Sequence, residues 1–186
     1  MKRLFDLLAG CALGLVLLIP VLLTALAVKL TSKGPALYWS SRVGQNNRLF
    51  NMPKFRSMKT DAPVVATHLL QDAPSLMTPI GSFLRKSSLD ELPQLWSIII
   101  GDMSFVGPRP ALFNQDDLIQ LRTEAGVHRL LPGLTGWAQI NGRDELPIPE
   151  KVKFDVEYMH QQSCWFDLQI LWGTLVKVIQ RRGVSH

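Results

Sequence analysis

The chain of 186 residues has little of what builds metal, redox or common nucleotide sites. Its two cysteines, Cys11 and Cys164, are no disulfide framework, because Cys11 lies in an apolar run and nothing pairs the two by spacing. Thiols used this sparingly suit a reducing compartment. The four histidines (His68, His128, His160 and His186) are scattered, without the Cys/His spacing of a zinc site. There is no P-loop, no G-x-G-x-x-G fingerprint, no internal repeat and no low-complexity segment. Charge is absent from Leu7 to Val28, where Thr24 is the only hydroxyl.

That uncharged run would reach roughly 33 Å as a straight helix, enough to cross a bilayer. Three readings compete: a cleaved signal peptide, a single spanning helix, and a helix that enters one leaflet, bends and returns. Asp6 and the length of the run argue against the first. Pro20 removes one helical donor and clashes with the Val16 carbonyl, so a kink is predicted there. Lys2 and Arg3 precede the segment and Lys29, Lys33 and Arg42 follow it, as expected if both ends face the cytoplasm. The re-entrant reading is therefore favoured, with a spanning helix still compatible with the same residues.

The charge that is present is net positive, +5, which points to an anionic partner: nucleic acid, anionic lipid or a phosphorylated substrate. Nucleic acid is disfavoured, because the basic residues are not interleaved with aromatics and an apolar anchor has no use there. One domain is expected at this length. Ala36–Ser40 and Arg48–Met52 read as strands joined by the turn residues Gly44-Gln45-Asn46-Asn47, a β-hairpin. Residues 60–79 read as a surface loop. Helices are predicted at Ile80–Lys86, at Leu89 to about Gly101 and over Phe113–Ala125. Two more are predicted from Pro149 to His160 and from Cys164 to Ile179. The last carries Trp165, Phe166, Trp172 and Leu175 and is closed by Arg181-Arg182, which suits a membrane interface or an ordinary core helix equally. Gly107-Pro108-Arg109-Pro110 reads as a rigid loop and Leu131–Asn141 as irregular.

Asp90 and Glu91 are the residues most suggestive of chemistry. Ser88 and Glu91 have the spacing of a capping box, so Glu91 alone has a bland explanation. That explanation leaves Asp90 unaccounted for and sits awkwardly with Pro93. A helix starting at Asp90 would put both carboxylates where phosphate also binds, and a Mg²⁺ ion would reconcile the two negative demands. Lys54, Arg56, Arg85 and Arg109 are candidate phosphate ligands. Arg109 is favoured because its flanking prolines limit the entropy lost on binding, and its fork matches phosphate oxygens. Asp155 and Glu157 read as surface residues, since positions two apart on a helix do not share a face.

Four ordered motifs carry a resemblance: Lys54-Phe55-Arg56-Ser57-Met58, Ser88 to Leu95, Gly101 to Pro110, and Pro132 to Arg143. With them, nearly the whole chain resembles the bacterial sugar transferases, the small monotopic phosphoglycosyl transferases, in their minimal form. The resemblance implies transfer of a sugar 1-phosphate from a UDP-sugar to undecaprenyl phosphate, with release of UMP. It implies Asp90 as nucleophile and metal ligand, a covalent phosphosugar-aspartate, Glu91 as the dyad's candidate base that activates the lipid phosphate or as a metal partner, and Mg²⁺ as cofactor. Arg85 and Arg109 match phosphate-handling positions. Gln139, Asn141 and Arg143 match a motif near the donor, and Pro20 matches the membrane bend, although Ile19 replaces the family's Ser.

The expectation is thus an α-rich α+β membrane protein with a re-entrant N-terminal membrane helix (1–33), a small β-hairpin and amphipathic interfacial helices. Residues 34–186 form its catalytic domain on the cytoplasmic face of the bacterial inner membrane. Its expected partners are a UDP-sugar, undecaprenyl phosphate and anionic lipid, with no nucleic acid. The sugar leans toward an N-acetylated hexosamine, and a homodimer is left open. Rival readings are a lipid-anchored diphosphate hydrolase and a noncatalytic scaffold.

Overall fold

The computed structural model describes residues 2–63, 74–142 and 146–180. It is helix-rich, with two small two-stranded sheets. The apolar N-terminal run forms two helices, α1 (Lys2–Val16) and α2 (Leu18–Thr31), bent by 62° at Leu17. Pro20 is the third residue of α2, where a missing N–H costs nothing. The helix gives way one turn earlier, beside the Val16 carbonyl that the proline ring would strike. Thr24 Oγ1 donates to Pro20 O at 2.8 Å. No single described helix is long and apolar enough to cross a membrane; the bent pair meets that test together, by length and composition.

Strands β1 (Leu37–Val43) and β2 (Leu49–Phe55) form the predicted hairpin, antiparallel from Leu37↔Phe55 to Val43↔Leu49. Its turn places Asn46 and Asn47 at φ +54° and +59°, a region Asn tolerates. Helix α3 (Gly81–Lys86) follows. The single helix predicted from Leu89 onward is instead a 3-10 segment, Leu89–Gln94, leading into α4 (Leu95–Ile100). Pro93 lies inside that tighter segment and Ser88 enters it at φ +57°. Ile98 is fully buried, whereas Ile100 is exposed.

Next come β3 (Ser104–Val106), α5 (Asp116–Glu124), β4 (Gly133–Thr135), α6 (Trp137–Ile140), α7 (Ile148–Gln161) and α8 (Cys164–Gln180). The region read as irregular therefore holds a strand, paired parallel with β3, and a short helix. The β3–β4 ladder is the frame of the Gly-Pro-Arg-Pro loop. A Cβ on Gly133 would fall 2.1 Å from the Gly107 nitrogen, and one on Gly136 would fall 2.1 Å from the Gly107 oxygen. The two glycine motifs thus touch backbone to backbone, which only glycine permits.

The largest core gathers Leu95, Ile98, Met103, Phe105, Tyr158, Phe166 and Ile170, with Ala9 and Leu17 against it. A second core joins Val28, Phe55 and Leu84. The N-terminal helices are thus docked along one face, while Leu8, Leu15, Ile19, Leu22, Leu23, Leu26 and Leu30 stay exposed. All the charges at the start of α1 serve this docking. Lys2 pairs with Asp167. Arg3 donates to the Ile98 and Ile99 carbonyls at the end of α4. Asp6, 1% exposed, accepts from Ser104 Oγ and the Phe105 N–H, both at 3.1 Å.

Candidate active site around Asp90 and Glu91

The 3-10 segment packs against β2 between the two cores, which brings Asp90 and Glu91 beneath Lys54. Asp90 is 7% exposed. Burial raises its pKa above the usual carboxylate range. Lys54 is the largest offset, Glu91 adds to the rise, and Arg85 and Arg109 lower it. Burial likewise lowers the pKa of Lys54, opposed first by Glu91. Burial also lowers that of Arg85, opposed by Asp90 and then Glu91. The result is a sunken carboxylate whose charge is balanced by surrounding cations.

Glu91 gathers those cations. Its Oε1 accepts from Lys54 Nζ at 3.1 Å and from Arg109 Nη2 at 2.9 Å. The capping-box reading of Glu91 fails: Ser88 makes no side-chain cap, and the carboxylate is directed to Lys54 and Arg109. Arg85 is steadied by Ser57, its Nε donating to Ser57 Oγ at 3.0 Å. Lys54, Arg85 and Arg109 thus lie around the dyad.

Arg56 is placed differently. It is buried, and its guanidinium donates to Lys33 O and to Ser32 O and Oγ, closing the end of α2. These contacts tie the bent helix pair to β2 and leave Arg56 a fastening rather than a phosphate ligand. Asn141 donates from Nδ2 to Trp137 O at 2.8 Å, one turn back on α6. Gln139 buries both amide atoms without a hydrogen-bond partner among the described residues. Arg143 lies outside the described residues, as do Asp144 and Glu145 beside it and Arg181-Arg182 after α8.

Asp155 and Glu157 correct the surface reading. Asp155 is 1% exposed and takes two bonds from Arg122, at 2.9 and 2.7 Å. Burial raises the Asp155 pKa, and Arg122 opposes the rise. Glu157 accepts from Trp137 Nε1 at 2.9 Å. The sequence offered one sign of these partners: acids on the inner side of α7, beside Val152 and Tyr158, need bases.

The donor set limits what metal the site accepts. No group of three or more His, Cys, Asp or Glu side chains gathers among the described residues. A cation caged wholly by protein does not fit. A Mg²⁺ held by Asp90 and completed by substrate phosphates and water does.

The described residues thus place a buried carboxylate among cations, next to an N-terminal helix pair with an exposed apolar face. The chain belongs to the bacterial sugar transferase family, whose model matches residues 1–181. It is 43% identical to the undecaprenyl-phosphate glucose phosphotransferase of Komagataeibacter xylinus, over 98% of this chain and 36% of that protein. It is 42% identical to the UDP-glucose:undecaprenyl-phosphate glucose-1-phosphate transferase of Escherichia coli (strain K12), over 95% of this chain and 40% of that protein. It is 41% identical to the uncharacterized sugar transferase EpsL of Bacillus subtilis (strain 168), over 100% of this chain and 91% of that protein. The chain thus spans about two fifths of the first two relatives and nearly all of the third.

Proposed function

We propose that this protein transfers a sugar 1-phosphate from a UDP-sugar to undecaprenyl phosphate at the cytoplasmic face of the bacterial inner membrane, the first membrane step of assembling a glycan. The observation that carries the reading is the buried Asp90 carboxylate next to Glu91, whose Oε1 draws Lys54 and Arg109 to the same place. In the first step an Asp90 oxygen attacks the phosphorus that bears the sugar. The P–O–P bridge breaks, its electron pair leaves with UMP, and a phosphosugar-aspartate remains. In the second step an oxygen of the lipid phosphate attacks the same phosphorus, and Asp90 departs as carboxylate. Splitting the displacement lets two substrates of opposite solubility visit one site in turn.

The raised pKa of Asp90 makes it a better nucleophile once ionised, and Lys54 is the strongest influence favouring its ionised form. Arg85 and Arg109 suit the diphosphate oxygens. A Mg²⁺ ion, held by Asp90, would supply further neutralisation of diphosphate charge. Glu91 reads as the organiser of Lys54 and Arg109 more than as a base. A phosphate monoester, with a second pKa of about 6, is already largely dianionic at neutral pH and needs little help to attack.

The membrane reading rests on the apolar faces. The bent α1–α2 pair exposes leucines on its outer side. α8 exposes Trp165 (70%), Leu168, Trp172 (67%) and Leu175 at helical spacing. Tryptophan at such a face suits the headgroup level, where the lipid phosphate lies. A bent pair that enters and leaves one leaflet keeps both ends, and Asp90, on the cytoplasmic side. Basic residues there would attract anionic lipid by about 1 kcal/mol each.

The relatives' names point to glucose or galactose. We therefore favour a UDP-hexose of that kind over the N-acetylated hexosamine suggested by the sequence alone. The test combines the purified protein, Mg²⁺, undecaprenyl phosphate and UDP-glucose, UDP-galactose or UDP-N-acetylhexosamines, scoring UMP release and the lipid product. Asp90→Asn should abolish both while leaving the unfolding midpoint and membrane association intact. The wild-type protein with donor alone should gain the mass of one sugar phosphate. Sugar phosphate released without lipid would favour a hydrolase, and full transfer by Asp90→Ala would remove the nucleophile.

A further inference from the structure

The loop that carries Arg109 is held at each successive residue through its backbone. Gly107 N donates to Thr135 O, and Pro108 O accepts from Gly133 N, both at 2.9 Å. The next three carbonyls are each taken by a different donor. Arg109 O accepts from Arg122 Nη1 at 2.7 Å, Pro110 O from Arg42 Nη1 at 3.2 Å, and Ala111 O from Val43 N at 3.0 Å. Behind the loop lies a cavity of about 30 Å³, bordered by Arg109, Arg122 and His128. Pro108, Pro110 and Ala111 are buried beside this cavity, and the hydrogen bonds to their carbonyls and to that of Arg109 set the course of the backbone there.

Arg122 is fixed in turn by a buried acid, where Arg42 is held by the Ser40 hydroxyl. Its Nε and Nη2 both donate to Asp155 Oδ2, and the Asp155 side chain is almost fully buried in α7. That leaves Nη1 aimed at the carbonyl of the residue whose guanidinium reaches Glu91. An isolated buried ion pair is weak evidence for a stabilising role, since its attraction roughly offsets its desolvation. Here the planar fork has geometric work: one edge meets the acid and the remaining nitrogen sets the loop.

We infer that Arg122 and Asp155 are positioning residues for Arg109, setting the depth at which its guanidinium meets the donor diphosphate. The inference rests on the functional reading of the Asp90 site. It predicts that charge alone at position 122 is insufficient. Arg122→Lys keeps an ion pair with Asp155 but lacks the fork that reaches the Arg109 carbonyl at the same time.

The test is a double-mutant cycle against Arg109, read on UDP-sugar turnover and on unfolding midpoint. Arg122→Lys and Asp155→Asn should lower kcat/KM for the donor by about tenfold to a hundredfold, the scale of an ångström's misplacement at a reacting centre. In an Arg109→Ala background the same substitutions should cost no further activity, while their effect on the midpoint persists. Calorimetric binding of UDP to Asp90→Asn protein gives the same comparison without turnover. Equal losses with and without Arg109 would overturn the inference and leave the pair a fold element. An Arg109→Ala protein that turns over donor and binds UDP normally would instead overturn the reading of the site on which it rests.

Discussion

Gly133→Ala isolates the backbone contact that supports the Arg109 loop. The added Cβ would lie 2.1 Å from Gly107 N, 2.4 Å from Thr135 O and 2.6 Å from Gly107 O. All three are main-chain atoms, so no side chain can swing aside. Ordinary carbon contacts begin near 3.5 Å, so the β3–β4 ladder must open by about 1 Å or more. Overpacking of this kind costs about 1–3 kcal/mol, and a shift that large at a positioned arginine costs about a hundredfold in turnover. Two controls bracket the effect. Gly126 sits at φ +79° with nothing within 4 Å of a built Cβ, so Gly126→Ala carries only backbone strain, about 1–2 kcal/mol. Gly14 in α1 also meets nothing within 4 Å, and Gly14→Ala should stabilise the helix by about 0.5–1 kcal/mol. UMP release and unfolding midpoint are measured for all three. If Gly133→Ala keeps wild-type kcat/KM, or Gly126→Ala loses as much turnover, the close approach does not govern the loop.

Three further outcomes are expected. Lys54→Met removes the largest influence holding the Asp90 pKa down, so that pKa rises and the acid limb of the kcat/KM profile moves to higher pH; an acid limb that stays put or moves lower would contradict the electrostatics. Asp6→Ala strands the Ser104 hydroxyl and the Phe105 N–H, costing about 1–3 kcal/mol in denaturant unfolding. Trp165→Glu with Trp172→Glu should weaken binding to anionic vesicles in flotation while sparing the fold, because both side chains are exposed; unchanged flotation would take α8 out of the proposed membrane surface.

What could be read from the sequence followed from local chemistry. The hairpin was visible because its turn residues are strong signals and its strands carry apolar and aromatic residues. The bend was visible because proline acts on a known carbonyl four residues back. Arg109 stood out because it lies between two prolines, Lys54 because it follows the hairpin, and Arg85 because it precedes the acidic pair. The failures at side chains involve distant partners. Glu91 looked like a cap because Ser88 is near in sequence, whereas Lys54 and Arg109 reach it across 37 and 18 residues. Arg56 looked like a phosphate ligand because nothing local reveals that α2 ends beside it. Asp155 looked solvated because Arg122, 33 residues away, gives no periodic signal. Strand β4 escaped notice because three residues beginning with glycine show no alternation.

The docking of α1 sets an order on biosynthesis. Lys2 finds its carboxylate 165 residues later, Asp6 its donors 98 and 99 residues later, and Arg3 its carbonyls 95 and 96 residues later. At about 5–20 residues per second, Lys2 waits roughly ten to thirty seconds for Asp167 to be made. Throughout that interval the most apolar part of the protein exists without the body that partners its charges. The bilayer or a chaperone would shelter it meanwhile, until α8, made long after α1, closes the lock on it.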